Sequence, residues 1–293
     1  MSSRVMLSYN SAQRDFADSL KSRLRAARLD VWIDREGIAP GTRWRDGFLK
    51  AIQARDVFVP ILSPEFLQSS HCRLEVLTAR AFGKKIVPVM VKECMTLLGE
   101  HPETHSLGDI FMQYFTDLKS VGIPLSEEEA YQRVVDGIFF NEAAAATAGE
   151  PPVYIAHMWK QAVFADRIAT ALREHGRAVW IAARDIPVGV RWFDAQIRAI
   201  HRSRAMVVVI DEQAPSVRHL RTEIAVAGVL GLPLLPVLAD SIKGNWAERK
   251  ALSDAFQRAD DLRPLYELEP FSTEPDWATM IDRLDAALPS AKT

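Results

Sequence analysis

The stretch Val31-Trp32-Ile33 recurs as Val179-Trp180-Ile181, which indicates an internal repeat. The two copies are 148 residues apart, since 179 − 31 = 148. The same offset aligns residues 5–91 with residues 153–239 without a gap, and 25 of these 87 pairs are identical. Unrelated sequences share far fewer identities, so the chain contains two copies of one domain.

The boundary between the copies is predicted at Glu142 to Pro152, which reads EAAAATAGEPP. Small residues bury little apolar surface, and glycine and consecutive prolines break regular structure. We therefore predict a first domain at 1–142, a linker at 143–152 and a second domain at 153–293.

Within each copy, short apolar runs alternate with segments of helical period. The first copy has predicted strands at Val5–Leu7, Val31–Ile33, Val57–Leu62, Ile86–Val91 and Phe111–Phe115, and predicted helices from Ser11, Trp44, Cys72 and Ser126. Ser11 is the predicted N-cap of the first helix, and Ser126 and Glu129 predict a capping box at the last. In the second copy, Leu265–Leu268 is the expected fifth strand and the last helix lies near Trp277 to Leu288. This alternation is typical of an α/β fold with a parallel sheet and helices on both faces.

Composition excludes several classes of protein. The 36 basic and 38 acidic residues are mixed along the chain, which disfavours partners such as nucleic acid or an anionic membrane. The two cysteines form no CxxC pair, as expected in a reducing compartment, so a cytoplasmic location is the default. The longest apolar segment, 229–239, is too short to span a bilayer and contains two prolines.

Candidate site residues follow the predicted strands, because ligands of open parallel sheets bind outside the carboxyl ends of the strands. In the first copy these are Ser8 and Tyr9, Asp34, and Ser63. The glycine-containing loop 35–43 is suited to a lid over this crevice. On the next helix, His71, Cys72 and Glu75 share one face by spacing, and we expect Leu74, Leu77 and Ala81 to face the sheet.

Each candidate also has a structural interpretation. A single glutamate such as Glu75 is usually a solvated surface charge, but its recurrence as Glu223 favours a functional role. Trp44 and Trp192 are compatible with packing in the core or with stacking on a ligand. Cys72 is compatible with a small buried hydrophobic residue. A metal site built from His71, Cys72, Glu93, Cys94, His101 and His105 lacks paired ligand spacing, so none is predicted. Neither GxGxxG nor GxxxxGK(S/T) occurs.

In order and spacing, five segments resemble the TIR (Toll/interleukin-1 receptor) domain, most closely its bacterial form. They are Val5-Met-Leu-Ser-Tyr9, Val31-Trp-Ile-Asp34, Ala39-Pro-Gly41, Ile61-Leu-Ser63 and Cys72-Arg-Leu-Glu75. The resemblance covers the first copy and, more weakly, the second. It implies two flavodoxin-like domains, each a five-stranded parallel sheet with helices on both faces.

The resemblance also implies a site. Glu75 matches the family's catalytic glutamate, and Ser8, Tyr9, Asp34, Gly41, Trp44, Ser63, His71 and Cys72 map onto the substrate pocket. His71 stands where many active members have a stacking tryptophan. The second copy departs further, with Ala156, His157, Ala182 and Leu220 at the positions of Ser8, Tyr9, Asp34 and Cys72, although Gly189, Trp192 and Glu223 remain.

Many members of the family cleave NAD+, as a substrate and without a cofactor, after self-association through TIR domains. The resemblance therefore implies an NAD+ glycohydrolase or ADP-ribosyl cyclase of bacterial antiviral defence or signalling, activated by self-assembly and by a separate sensor or effector protein. In this hypothesis the second copy supplies its loop 183–191, with Trp192, to a first-copy pocket in the same or a neighbouring chain. The alternative is a non-catalytic scaffold that recruits other TIR domains.

Overall fold

A computed structural model describes residues 3–33, 44–120, 122–141, 150–242, 250–259, 262, 265, 267–273 and 276–289. These residues form two compact units. Unit 1 contains Met1–Ser120, Pro124–Ala146 and Pro187–Trp192; unit 2 contains Val121–Ile123, Thr147–Ile186 and Phe193–Thr293. Most of the predicted linker lies outside the described residues. Each unit therefore corresponds largely to one sequence repeat and includes a short segment of the other.

The elements of unit 1 alternate as the sequence predicts. Its strands are β1 (Arg4–Ser8), β2 (Asp30–Trp32), β3 (Val57–Leu62), β4 (Lys85–Ile86), β5 (Val89–Met90), β6 (Gln113–Tyr114) and β7 (Lys119–Ser120). The short strand β8 (Ile123–Pro124) begins at the last residue of the segment Val121–Ile123, which is assigned to unit 2, and ends in unit 1. Its helices are α1 (Arg14–Ala26), α2 (Trp44–Gln53), α3 (Pro64–Gln68), α4 (Ser70–Ala81) and α5 (Glu127–Phe139).

The main sheet of unit 1 is parallel, in the order β2-β1-β3-β5-β6, with β4 pairing with β3. The predicted strand Ile86–Val91 is divided into β4 and β5, which are separated by Val87 and Pro88. Apolar side chains cover both faces of this sheet, as the βα alternation requires.

Side chains cap two of the helical segments of unit 1 at positions that bear on the sequence predictions. Asn10, rather than the predicted Ser11, accepts a hydrogen bond from the Ala12 N–H at the start of the first helical turn. The predicted capping box of α5 is confirmed, since Ser126 accepts from the Glu129 N–H and the Glu129 carboxylate accepts from the Ser126 N–H.

Unit 2 repeats the same order of elements. Its strands are β9 (Val153–Ala156), β10 (Val179–Ile181), β11 (Ala205–Ile210) and β12 (Leu234–Leu238), and its helices are α6 (Ala162–Glu174), α7 (Ala182–Asp185), α8 (Trp192–Arg202), α9 (Arg218–Val229), α10 (Lys250–Arg258) and α11 (Trp277–Ala287). The parallel sheet has the order β10-β9-β11-β12. Within the described residues, Phe271 forms a parallel bridge to Val237 at the fifth-strand position. The prediction of a strand at 265–268 is wrong, because Leu265 is helical and 267–268 form a turn.

The orientation predicted for helix α4 is wrong. Leu74 and Leu77 are exposed at 41% and 44%, and Ala81 is also exposed. The buried side chains are instead Cys72, Glu75, Val76 and Ala79. Both faces of α4 carry apolar residues, so the sequence period does not fix which one packs on the sheet. The observed rotation places the Glu75 carboxyl inside the unit.

The segment Pro187–Trp192 extends the outer edge of the unit 1 sheet. The Gly189 N–H donates to the Phe111 carbonyl and the Phe111 N–H donates to the Val190 carbonyl, both at 2.8 Å. Val188 is buried in the core cluster that includes Val134 and Ile138 of α5. This segment therefore satisfies backbone groups that an edge strand would otherwise leave unpaired.

Residues 187–191 belong to the loop 183–191 that we expect to reach a first-copy pocket. Phe111 directly precedes β6, and strands β3 and β5 lie between β6 and β1, which ends at Ser8. The backbone of residues 189–190 is therefore at the sheet edge and not beside Ser8. Within this chain, residues 189 and 190 are hydrogen-bonded to Phe111. The supply of loop 183–191 to a first-copy pocket stays a prediction.

We predict that Gly189→Ala destabilises unit 1 by about 2 kcal/mol or more. Gly189 has φ of +91°, and a Cβ there would lie 2.8 Å from the Ile86 carbonyl oxygen. The matched control is Gly83→Ala, since Gly83 also has positive φ but open space around it. Urea unfolding measures stability, and hydrogen exchange reports the Phe111 amide. Equal destabilisation by both variants would contradict the described packing.

Candidate active site

The candidate site of unit 1 is built around Ser8 and Glu75. Ser8 is the last residue of β1, at the carboxyl end of the sheet, and its side chain faces the same side as Met6 because side chains alternate along a strand. Glu75 lies on α4 and is 7% exposed, while Ser8 is 2% exposed. The Ser8 hydroxyl donates a hydrogen bond to Glu75 Oε2. The structure therefore brings together a buried carboxyl and a hydroxyl that are 67 residues apart.

A polar rim lies at the same ends of the strands. Lys92, just after β5, pairs with Glu65 at 2.7 Å between Nζ and Oε1. Asn10 Nδ2 donates to the Glu65 carbonyl, and Gln13 Nε2 donates to the Glu65 carboxylate, each at 3.2 Å. The hydrogen bond from Lys92 lowers the pKa of Glu65 to about 2. No local sequence pattern marks this rim, because its members come from three separate segments of the chain.

The other predicted residues have varied positions. Tyr9 is half-buried against the core of unit 1. Ser63 is fully buried and caps α3, where it accepts from the Phe66 N–H at 3.1 Å. His71 is exposed, whereas Cys72 is 6% exposed in an apolar cluster. Asp34, Gly41 and the side chain of Trp44 lie outside the described residues. Trp192, the first residue of α8, is half-buried.

Unit 2 surrounds its corresponding carboxyl differently. Glu223 is 3% exposed and accepts a hydrogen bond from Gln196 Nε2 at 2.9 Å. The Tyr154 side chain also hydrogen-bonds to Glu223, and its ring stacks on Trp180 with centroids 4.9 Å apart. Burial raises the pKa of Glu223 to about 8, so this carboxyl is mostly protonated at neutral pH.

Two histidines of unit 2 are also shaped by burial. His157, at the position of Tyr9, is 7% exposed, and its Nε2 has no hydrogen-bond partner. Burial lowers the pKa of His157 to about 4 and lowers the pKa of His219. Both imidazoles are therefore biased towards the neutral form, like the carboxyl of Glu223.

The donors to Glu223 were missed by sequence reasoning, although the 148-residue offset contains the signal. Tyr154 aligns with Met6, and Gln196 aligns with Phe48. Met6 and Phe48 are apolar and buried in unit 1. Two apolar core positions have thus become polar in the repeat that has Ala156 in place of Ser8. This joint change marks a different environment for the second carboxyl.

Within the part of the chain that the structure describes, no group of three or more His, Cys, Asp and Glu side chains is arranged to hold a metal ion. Among the described helices, none combines the length and apolar content required to cross a bilayer.

The TIR domain family model matches residues 5–132 and 153–268. Together these segments cover more than half of the chain, so the chain belongs to the TIR domain family, with two TIR domains in tandem. A comparison with curated proteins finds no match.

Three solved structures are similar in part. The TIR domain of the Toll-related receptor TRR-2 from Hydra magnipapillata is 19% identical, over 31% of this chain and 71% of that one, with a TM-score of 0.29. The Clostridium botulinum CMP N-glycosidase BcmB is 18% identical, over 45% and 97%, with a TM-score of 0.30. A complex of SsGBP with GDP is 13% identical, over 98% and 97%, with a TM-score of 0.29. Likenesses at this level carry no argument about activity.

We predict that Glu223→Gln removes a pH dependence of stability from unit 2. A raised pKa means that the folded unit binds the proton more tightly than the unfolded chain, so its contribution to stability is complete below about pH 4.5 and is lost as pH rises through about 8. The slope is at most about 1.4 kcal/mol per pH unit. Urea unfolding between pH 5 and 8.5 measures it.

The matched control is Glu174→Gln, which changes an exposed glutamate of the same unit. This variant should keep the wild-type slope. A Glu223→Gln variant that also keeps it would show that the carboxyl is not buried as described.

Proposed function

We propose that this protein is an NAD+ glycohydrolase in which unit 1 is the catalytic unit and Glu75 the catalytic residue. The observation that carries the proposal is the position of a carboxyl, held by Ser8, at the carboxyl end of β1, an interior strand of a TIR-family sheet. Ligands of such sheets bind at this end. Members of the family that cleave NAD+ have their catalytic glutamate at the matching position of the motif Cys72-Arg-Leu-Glu75.

The proposed reaction requires one carboxylate. The C1′–N bond breaks and both of its electrons pass to the nicotinamide nitrogen, so the cationic pyridinium leaves as a neutral base and needs no proton. Glu75 stabilises the positive charge that develops at C1′ and accepts hydrogen bonds from the ribose hydroxyls. Water then bonds to C1′ and loses a proton, which gives ADP-ribose. Attack by an adenine nitrogen in place of water gives a cyclic isomer.

The remaining predicted residues are proposed to form the substrate pocket. Tyr9 and His71 lie near the Ser8 and Glu75 positions in sequence, and Asp34, Gly41 and Trp44 belong to the segment between β2 and α2. His71 is exposed and so is accessible to a ligand ring.

Unit 2 is proposed to be non-catalytic. Its glutamate is biased towards the neutral acid by burial, and it already accepts a hydrogen bond from Gln196. A neutral carboxyl stabilises a developing cation much less than a carboxylate does. Retention of glutamate in both repeats therefore does not require two active sites.

The cellular setting is part of the proposal. We infer self-association through TIR domains as the activating step, a separate sensor or effector protein as a partner, and a cytoplasmic role in bacterial antiviral defence. The rival function is a non-catalytic scaffold, which shares the self-association and lacks the cleavage.

We predict that Glu75→Gln lowers nicotinamide release from NAD+ by roughly 100-fold or more, because the amide carries no charge to stabilise the transition state. The measurement is nicotinamide release by purified full-length protein, at high concentration or with a crowding agent. Glu223→Gln is the matched control and should retain release within about threefold of wild type.

Three other outcomes are decisive. Loss of release only in Glu223→Gln would assign the activity to unit 2. Equal release by wild type and Glu75→Gln would exclude Glu75 as the catalytic group. An absence of release under every assembly condition would favour the scaffold.

A further inference from the structure

Ser8 lies on an interior strand of the unit 1 sheet. Strand β1 pairs with β2 on one side, where Met6 is opposite Trp32, and with β3 on the other, where Ser8 is opposite Pro60. Only 2% of Ser8 is exposed. Because the Ser8 hydroxyl is buried, it offers a ligand little surface to contact. It does donate a hydrogen bond to Glu75 Oε2 directly.

Unit 2 shows what happens when this hydroxyl is missing. Ala156 occupies the Ser8 position, and the donors to Glu223 are Gln196 and Tyr154. Tyr154 precedes Ala156 by two residues on β9, so its backbone lies about 7 Å further from the carboxyl end of the strand. The donors of unit 2 therefore approach the carboxyl from the interior of the unit.

The matching interior positions of unit 1 have no hydrogen-bond donors in their side chains. Met6 and Phe48 are 1% and 3% exposed and pack in one apolar cluster. Among these three compared positions of unit 1, only Ser8 offers a donor to the carboxyl, and it does so at the end of the strand. The location of the donor thus differs systematically between the two repeats.

We propose that Ser8 is a positioning residue, which holds the Glu75 carboxylate at the carboxyl ends of the strands where the ribose binds. This inference rests on the proposed function of unit 1. It changes the role of Ser8 from the substrate contact implied by the family resemblance to a residue that acts through Glu75. It also explains why the repeat with alanine at this position has polar groups at two core positions.

The test compares Ser8→Ala, Ser8→Thr and wild type in nicotinamide release over a range of NAD+ concentrations. For Ser8→Ala we expect kcat to fall roughly 10- to 100-fold while KM stays within about twofold, since a mispositioned carboxylate weakens the transition state and not ground-state binding. Ser8→Thr keeps the hydroxyl and should recover most of kcat.

The control variant is Ser126→Ala. Ser126 caps α5 in the same unit, so this substitution removes a serine hydroxyl and destabilises the fold without touching Glu75. It should leave kcat within about twofold of wild type. Thermal unfolding of every variant separates loss of folded protein from loss of turnover.

Crystal structures of wild type and Ser8→Ala give a second measurement that does not depend on turnover. We expect the Glu75 carboxyl to contact Ser8 in wild type and to turn away from the strand ends in Ser8→Ala. This measurement decides the role of Ser8 even if Ser8→Thr does not fold.

An unchanged kcat in Ser8→Ala would overturn the proposal. If KM rose while kcat stayed unchanged, Ser8 would instead be a residue that contacts the substrate. An unmoved carboxyl in the Ser8→Ala crystal structure would also overturn the proposal. If wild type releases no nicotinamide under any assembly condition, the proposed function fails, and the crystal structures alone decide whether Ser8 positions Glu75.

Discussion

A buried carboxyl group must be hydrogen-bonded or neutral, and this constraint shapes both units. In each repeat, a helix packs a glutamate against the sheet with 7% or less of the residue exposed. Removing a carboxylate from water costs several kcal/mol unless donors replace the lost hydration. Unit 1 meets this cost with the hydroxyl of Ser8, at the carboxyl end of β1. Unit 2 meets it with Gln196 and Tyr154, and with a raised pKa.

These two solutions have different chemical consequences. A donor at the end of a strand leaves the carboxyl beside the crevice where ligands of parallel sheets bind, close to a rim that contains Glu65 and Lys92. In unit 2, the donors lie in the interior and hydrogen-bond to the Glu223 carboxyl there. A neutral carboxyl is stable in such a buried position. The second repeat has exchanged one solution for the other, since the loss of the serine coincides with polar residues at two core positions. Random decay of an unused site does not predict such a paired change.

The sequence was sufficient to predict the α/β alternation, because continuous apolar runs such as 57–62 are typical of strands buried on both faces. The capping box at Ser126 was also predicted from local spacing. The rotation of α4 was not, since leucines and smaller apolar residues alternate around that helix, and burial of Glu75 contradicts the ordinary preference of a charged side chain. Likewise, the Ser8 contact joins residues far apart in sequence, and the period of each element carries no information about it.

The segment 187–192 shows most clearly why a repeated sequence does not imply a repeated role. Its backbone pairs with Phe111 through N–H and carbonyl groups. Every residue other than proline has both groups, so the pattern of side chains in the sequence does not predict this pairing. Gly189 matches Gly41 in the repeat, but here its lack of a Cβ allows close approach to the Ile86 carbonyl. One glycine therefore satisfies a packing constraint of a sheet edge, whatever its counterpart does. The same logic applies to Glu75 and Glu223: identity at the aligned position preserves the fold, while the neighbouring donors determine whether the carboxyl is available for chemistry.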